Sequence, residues 1–244
     1  MQMYQLGGVT DRRTLIAHTS RMEVDQAPRT GVIIAYGRGR YALPVVEESW
    51  ARAHAVSGVL MQRSAALHYG WKVKTVPDRP EIAVPRNRNV SAQVQATATI
   101  CWTGLNDDDV VDGRVTTMRK TMVDCMRRLP FDEGLTVADS ALREGNFSGA
   151  GLESLADSVQ GPGRGKCRRV AACANGKAAN PFESVLRAIA LDVPGLSPEP
   201  QVEIAASPLP ITPDVADRRL RLALEADSFA WHGERSQLKR DCRR

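Results

Sequence analysis

From Leu220 onward the chain alternates with a period of two. Leu220, Leu222, Leu224 and Ala226 fall on one side, and Arg219, Arg221, Ala223, Glu225 and Asp227 on the other. Such alternation predicts a strand with one buried face, because successive side chains of extended backbone point to opposite sides. Residues i and i+2 share a face about 6.6 Å apart, at about 3.3 Å per residue, so Glu225 and Asp227 project together. Upstream, Ile211 to Val215 reads as a second short strand, and Asp217-Arg218-Arg219 as the turn between them. That hairpin returns Asp214 towards Glu225. Three carboxylates in one small volume repel and raise one another's pKa unless a cation is present. A hard divalent ion, Mg2+ or Mn2+, shared between carboxylates, water and phosphate, removes the conflict.

A chain of 244 residues is long enough for two domains and a sizeable core. Its 43% hydrophobic and 25% charged residues describe an ordinary globular protein. No apolar run approaches the ~18–20 residues of a membrane span. Met1 to Gly8 has neither the basic start nor the apolar centre of a signal peptide, so a cytoplasmic protein without membrane attachment is expected. Five cysteines without a Cys-x-x-Cys pair argue against a zinc ribbon and against a disulfide framework. The net charge of +5 favours polyanionic partners. Arginine outnumbers lysine by 27 to 6, a bias that a GC-rich genome explains as well as phosphate binding does. The distribution of charge says more. Residues 161–177 carry Arg164, Lys166, Arg168, Arg169 and Lys177 with no acid, and the stretch from Arg235 to Arg244 is also basic. Both are candidates to line a nucleic-acid channel, or are solvated helix faces.

Residues 1–44 have the outline of a winged helix-turn-helix. Thr10 is a fitting N-cap for a helix to about His18, with Leu15 and Ile16 on its apolar face. A second helix starts near Ser20. Val32 to Tyr36 and Arg40 to Leu43 then read as strands around Gly37-Arg38-Gly39, where glycine permits positive φ. In such a fold the second helix reads the major groove and the wing follows the backbone. Arg21 and Arg29 are the candidates on the recognition element, and Arg38 and Arg40 on the wing. Against this, Glu23 and Asp25 place negative charge on the same helix.

Residues 45–160 read as a mixed region. A helix is expected at Glu47 to Val56 and another at Ser64 to Tyr69, capped by Ser64 and ended by Gly70. Strands are expected at Val73 to Val76, Glu81 to Pro85 and Val94 to Trp102. The acidic run Asn106 to Asp109 reads as a solvated loop. From Thr116 the chain turns helical, with Met118, Met122, Cys125 and Met126 at core spacing and Pro130 opening the next helix. Gly161-Pro162-Gly163-Arg164-Gly165-Lys166 lacks the spacing of a nucleotide-binding loop and reads as a linker or helix entry. A C-terminal unit is expected over 161–244. Asn180-Pro181-Phe182-Glu183 is a strong helix start, with Val185, Leu186 and Ile189 as its buried stripe and Gln201 to Ala205 as the next strand.

Pro213-Asp214, a turn, then Glu225-Ala226-Asp227 at the end of an apolar strand resembles the restriction-endonuclease-like, PD-(D/E)xK, nuclease core. With His232 following, it is similar to the very-short-patch-repair endonuclease group. Tyr41-Ala42-Leu43-Pro44, Ser64 to Trp71, Val115-Thr116-Thr117, Leu129 to Glu133 and Asn180 to Ser184 occur in an order similar to that of actinobacterial proteins. Those proteins join an AbiEi-antitoxin-like N-terminal region to such a nuclease-like domain. The resemblance implies an α+β or α/β fold whose C-terminal endonuclease-like core is incomplete, since the family continues beyond the equivalent of Arg244. It also implies a DNA-binding protein that hydrolyses phosphodiesters with Mg2+ or Mn2+, or else a non-catalytic antitoxin-type regulator. A toxin–antitoxin or defence-system partner follows from the same likeness. Asp214, Glu225 and Asp227 would hold the metal. Glu183 would aim at it from the first helix, although a capping role explains that glutamate locally. His232 stands in for the lysine that many members carry where this chain has Asp227, and would activate water.

Overall fold

The N-terminal region contains a strand that the alternation pattern does not announce. The computed structural model describes the chain except residues 1, 2, 4, 5, 7, 38, 56, 57, 206–209 and 227–244. β1 (Val9–Asp11) pairs antiparallel with β3 (Arg40–Ala42), which pairs on its other side with β2 (Ile34–Gly37). Helices α1 (Arg12–His18) and α2 (Arg21–Gln26) lie between β1 and β2. The expected two helices and hairpin are therefore present. The cap of α1 is Asp11 rather than Thr10, because Thr10 is drawn into β1 and Asp11 is the last extended residue. Its carboxylate accepts from Thr14 N at 2.9 Å. Ser20 and Glu23 close a reciprocal capping box on α2, at 2.9 and 3.2 Å, which satisfies two donors that a helix start leaves open.

Helix α3 (Pro44–Ala55) leads into a five-stranded mixed sheet ordered β6-β5-β4-β8-β7. Its strands are β4 (Val59–Leu60), β5 (Glu81–Val84), β6 (Thr99–Trp102), β7 (Val110–Val111) and β8 (Val115–Thr116). β4 runs antiparallel to β5 and parallel to β8. All of β5 is buried, as a central strand covered on both faces must be. Helix α4 (Gln62–His68) begins before Ser64. Ser64 is buried inside it, and its hydroxyl accepts from Glu81 N at 2.9 Å, tying helix to sheet instead of capping. Val73 to Val76 forms no strand; both valines are buried in irregular backbone. The expected strand from Val94 divides into a one-turn helix, α5 (Ala92–Gln95), and β6, because Ser91 caps the turn. Asn106 to Asp109 forms an exposed 3-10 turn.

Five helices follow: α6 (Met118–Arg128), α7 (Phe131–Arg143), α8 (Gly149–Ser158), α9 (Arg164–Cys173) and α10 (Pro181–Leu191). Thr117 caps α6 as expected, and Met122, Cys125 and Met126 are fully buried. One hydrophobic cluster joins Leu15 and Tyr41 of the N-terminal elements to Leu67 and Trp71, to Met122 of α6 and to Val170 of α9. No described helix is long and apolar enough to cross a membrane.

The last sheet is ordered β11-β10-β9, all antiparallel, from β9 (Glu199–Pro200), β10 (Val215–Asp217) and β11 (Leu222–Leu224). Here the structure departs from expectation. Ile211 makes only a single bridge to Ile204, so neither Gln201 to Ala205 nor Ile211 to Val215 is a full strand. β10 starts where the second of these was to end. The turn runs over 218–221, with Arg221 at φ 53° and Leu220 N bonded to Asp217 Oδ1 at 2.8 Å, so β11 starts only at Leu222. Its leucines do not form a buried face: Leu220 is 48% and Leu222 39% exposed. In α10 the expected stripe is only partly buried: Val185 and Leu186 are half-buried and Ile189 is 60% exposed, while Glu183, Ser184 and Arg187 are buried. With helices and sheets interleaved along the chain, the protein is an α+β fold.

Candidate acidic site and nucleic-acid interface

The β10–β11 register sets Val215 opposite Leu224, which places Asp214 and Glu225 at the same end of the ladder. Ala226 N closes the hairpin by donating to Asp214 Oδ2 at 2.8 Å. Asp214 is half-buried and Glu225 exposed. On the other side, Gln201 N donates to the Asp214 carbonyl at 3.1 Å. Gln201 adopts the left-handed region, φ 52°, an unusual conformation for a residue with a side chain. That side chain donates to Glu183 Oε2 at 3.0 Å. Gln201 therefore links the two acids that the sequence singled out, and no sequence signal marks it.

Glu183 serves the start of α10 and faces the acidic site at once. Asn180 Oδ1 accepts from Phe182 N and Glu183 N at 2.9 and 3.1 Å, the expected cap. The Glu183 carboxylate accepts from Ala179 N at 2.8 Å and Asn180 Nδ2 at 2.7 Å. Burial raises its pKa, and the charge of Asp214 adds to the rise, while the bonds from Ala179 and Gln201 oppose it. Three donors already occupy the Glu183 carboxylate, which makes its oxygens the less available ones for a hard cation. Asp227 and His232 lie outside the described residues. Among the described residues, no three His, Cys, Asp or Glu side chains are gathered to hold a metal ion.

Beneath α10 lies a polar core that sequence reading did not anticipate. Asp139 of α7 and Arg187 of α10 are 0% and 3% exposed and pair through one guanidinium nitrogen at 2.7 Å from each oxygen. Ser184 Oγ and Asn175 N also donate to Asp139, at 2.8 and 2.7 Å. Next to this, Ser140 Oγ accepts from Lys72 N at 2.8 Å and Arg143 at 3.3 Å. Arg143 also donates to the carbonyl of Ala178, one residue before the amide that holds Glu183.

The expected nucleic-acid contacts divide into exposed and occupied. Arg21 and Arg29 are exposed on and just beyond α2. Of the two acids on this helix, Glu23 turns back into the capping box and keeps its charge, and Asp25 pairs with Arg12 at 2.6 Å. Arg40 lies in β3, and Arg38 lies outside the described residues. Arg164 and Lys166 open α9, exposed and half-exposed. Arg168 pairs with Asp157 at 2.7 Å. Arg169 pairs with Asp192 and stacks 3.8 Å over the ring of Phe131. Both remain at the surface with part of their charge neutralised.

No protein-family model matches the chain, and no curated protein matches it. Among solved structures, the crystal structure of the RV2827C protein from Mycobacterium tuberculosis is similar at a TM-score of 0.37 and 13% sequence identity, over 82% of this chain and 84% of that one.

Proposed function

We propose that the chain is a DNA-binding protein with an endonuclease-like acidic site that hydrolyses phosphodiesters with Mg2+ or Mn2+. The observation that carries the reading is the Glu183–Gln201–Asp214 linkage, with Glu225 set across the hairpin from Asp214. Oxygen donors of this kind suit a hard divalent ion. Asp214 and Glu225 would hold it, and the ion would supply an activated water and stabilise charge on the phosphate. The chain's own contribution is placement. The Ala226 amide fixes one Asp214 oxygen, and Gln201 sets the spacing from Glu183.

Full-length protein incubated with supercoiled plasmid is expected to nick it only when Mg2+ or Mn2+ is added. Asp214→Ala should abolish nicking while leaving DNA binding intact. Metal-independent nicking, or nicking by the variant, overturns the catalytic reading. A second reading, a non-catalytic antitoxin-type regulator, rests on the exposed Arg21 and Arg29, on and just beyond α2, without the acidic site. It predicts DNA binding with no nicking under any metal.

A further inference from the structure

One outer edge of the five-stranded sheet carries a tryptophan with its ring open to solvent. β6 pairs only with β5, so its other side is an unpaired edge. Trp102, the last residue of β6, is 43% exposed. Among the described residues, no second ring and no guanidinium stacks on it. The ring is nonetheless held, because its indole N–H donates to the Arg88 carbonyl at 2.9 Å. A ring already fixed in orientation loses little rotamer freedom when a planar group lies on it, so Trp102 is a preformed stacking surface.

Arginines follow the same edge. Arg52 of α3 donates to the Thr97 carbonyl at 3.1 Å, just before β6 begins. Arg128 of α6 donates to Cys101 Sγ at 3.1 Å. Its side chain stays 39% exposed beside a longer contact with Asp124, at 3.9 Å. Arg86 and Arg88 are exposed on the loop after β5. No acid occurs in the sequence between Glu81 and Asp107. Charged side chains guard an open edge against pairing with other strands, which accounts for arginines alone. An exposed indole has the opposite effect, since it adds apolar surface where the guard is needed. Cations along an edge and an open ring at its end together fit an anionic chain that carries planar groups. Guanidinium forks suit its phosphates, and the indole suits its bases.

We propose that the open edge of β6 binds single-stranded DNA, with one base stacked on Trp102 and phosphates held by Arg86 and Arg128. The strand is unpaired because a duplex offers only base edges in its grooves, whereas stacking needs a free base face. The choice of DNA over RNA rests on the DNA-binding reading above; the stacking site does not.

The test uses the full-length chain and an oligothymidylate of about 12 nucleotides. In wild-type protein with labelled indole nitrogens, the oligonucleotide is expected to move the Trp102 N–H signal in NMR. Trp102→Ala should weaken binding, measured by fluorescence anisotropy, by about tenfold or more. Trp102→Phe should restore part of it, because a phenyl ring still stacks. Arg86→Ala should reduce the log–log salt slope by about 0.7. A wild-type Trp102 signal indifferent to the oligonucleotide overturns the proposal even if Trp102→Ala fails to fold, and so does undiminished binding by a folded Trp102→Ala. Equal competition by polyglutamate also overturns it, since that peptide has charge but no bases. Tighter binding of oligouridylate than of its deoxy counterpart overturns DNA as the ligand. If Asp214→Ala abolishes nicking but Trp102→Ala binds oligothymidylate normally, this proposal falls and the nuclease reading stands. If wild-type protein never nicks plasmid yet loses the oligonucleotide with Trp102, the reverse holds.

Discussion

Asp139 is the residue on which most of the polar interior converges. It accepts from Arg187, Ser184 and Asn175 while fully buried. Removing one partner of a buried ion pair strands the other, at about 3–5 kcal/mol. Asp139→Ala is therefore expected to lose that much in urea unfolding, while Asp139→Leu combined with Arg187→Met should recover most of it. Lys72 gives a prediction of opposite kind. An unfolded lysine titrates near 10.4, and burial holds the folded value lower. Between the two the unfolded chain binds more protons, so stability rises with pH across that window. The penalty is complete below the folded value and gone above about 10.4. The urea midpoint of wild type, less that of Lys72→Met, should accordingly increase from neutral pH towards pH 10. A flat difference would mean that the lysine is not desolvated. Neither residue can be singled out from the sequence. A lone Lys between Trp and Val looks like a surface residue, and Asp139 is separated from Arg187 by 48 positions.

At the scale of elements, legibility follows locality. Thr117 and Asn180-Pro181 announce the starts of α6 and α10 because a cap bonds to residues two or three positions on. The buried face of α10 is not legible in the same way. Val185, Leu186 and Ile189 have the periodicity of a core stripe, but Asp139 recruits Ser184 and Arg187 instead. In β11 the alternation sorts residues by face. It carries no information on whether anything covers the leucine side, and Leu222 is left open. The hairpin bringing Asp214 towards Glu225 is legible because pairing across a short turn is local. Gln201 is not, because its role depends on a left-handed backbone and on Glu183. The element that tests DNA binding is α2. Arg21→Ala and Arg29→Ala should each weaken duplex binding and reduce the log–log salt slope by about 0.9 for each phosphate no longer neutralised. An unchanged slope in fluorescence anisotropy would remove α2 from the interface.

Across the whole molecule, the N-terminal elements are not a detachable bead. Their core residues belong to the cluster that contains Leu67, Met122 and Val170, and the approach is close at Gly8. A Cβ there would stand 2.9 Å from Leu67 Cδ2 and 3.0 Å from Val76 Cγ2, on backbone at φ 83°. Gly8→Ala should therefore cost at least about 1–3 kcal/mol, and calorimetry should show the main transition shifting as a whole. An early separate transition would mean that residues 1–44 open alone. The polar interior beneath α10 has a consequence for hydrogen exchange. The amide of Asn175 sits in the connection between α9 and α10, where such protons usually escape within seconds. It is held at 2.7 Å by a carboxylate with no access to water. Its deuterium uptake should be as slow as that of a core helix, so that one proton in a loop keeps time for the release of α10 from α7.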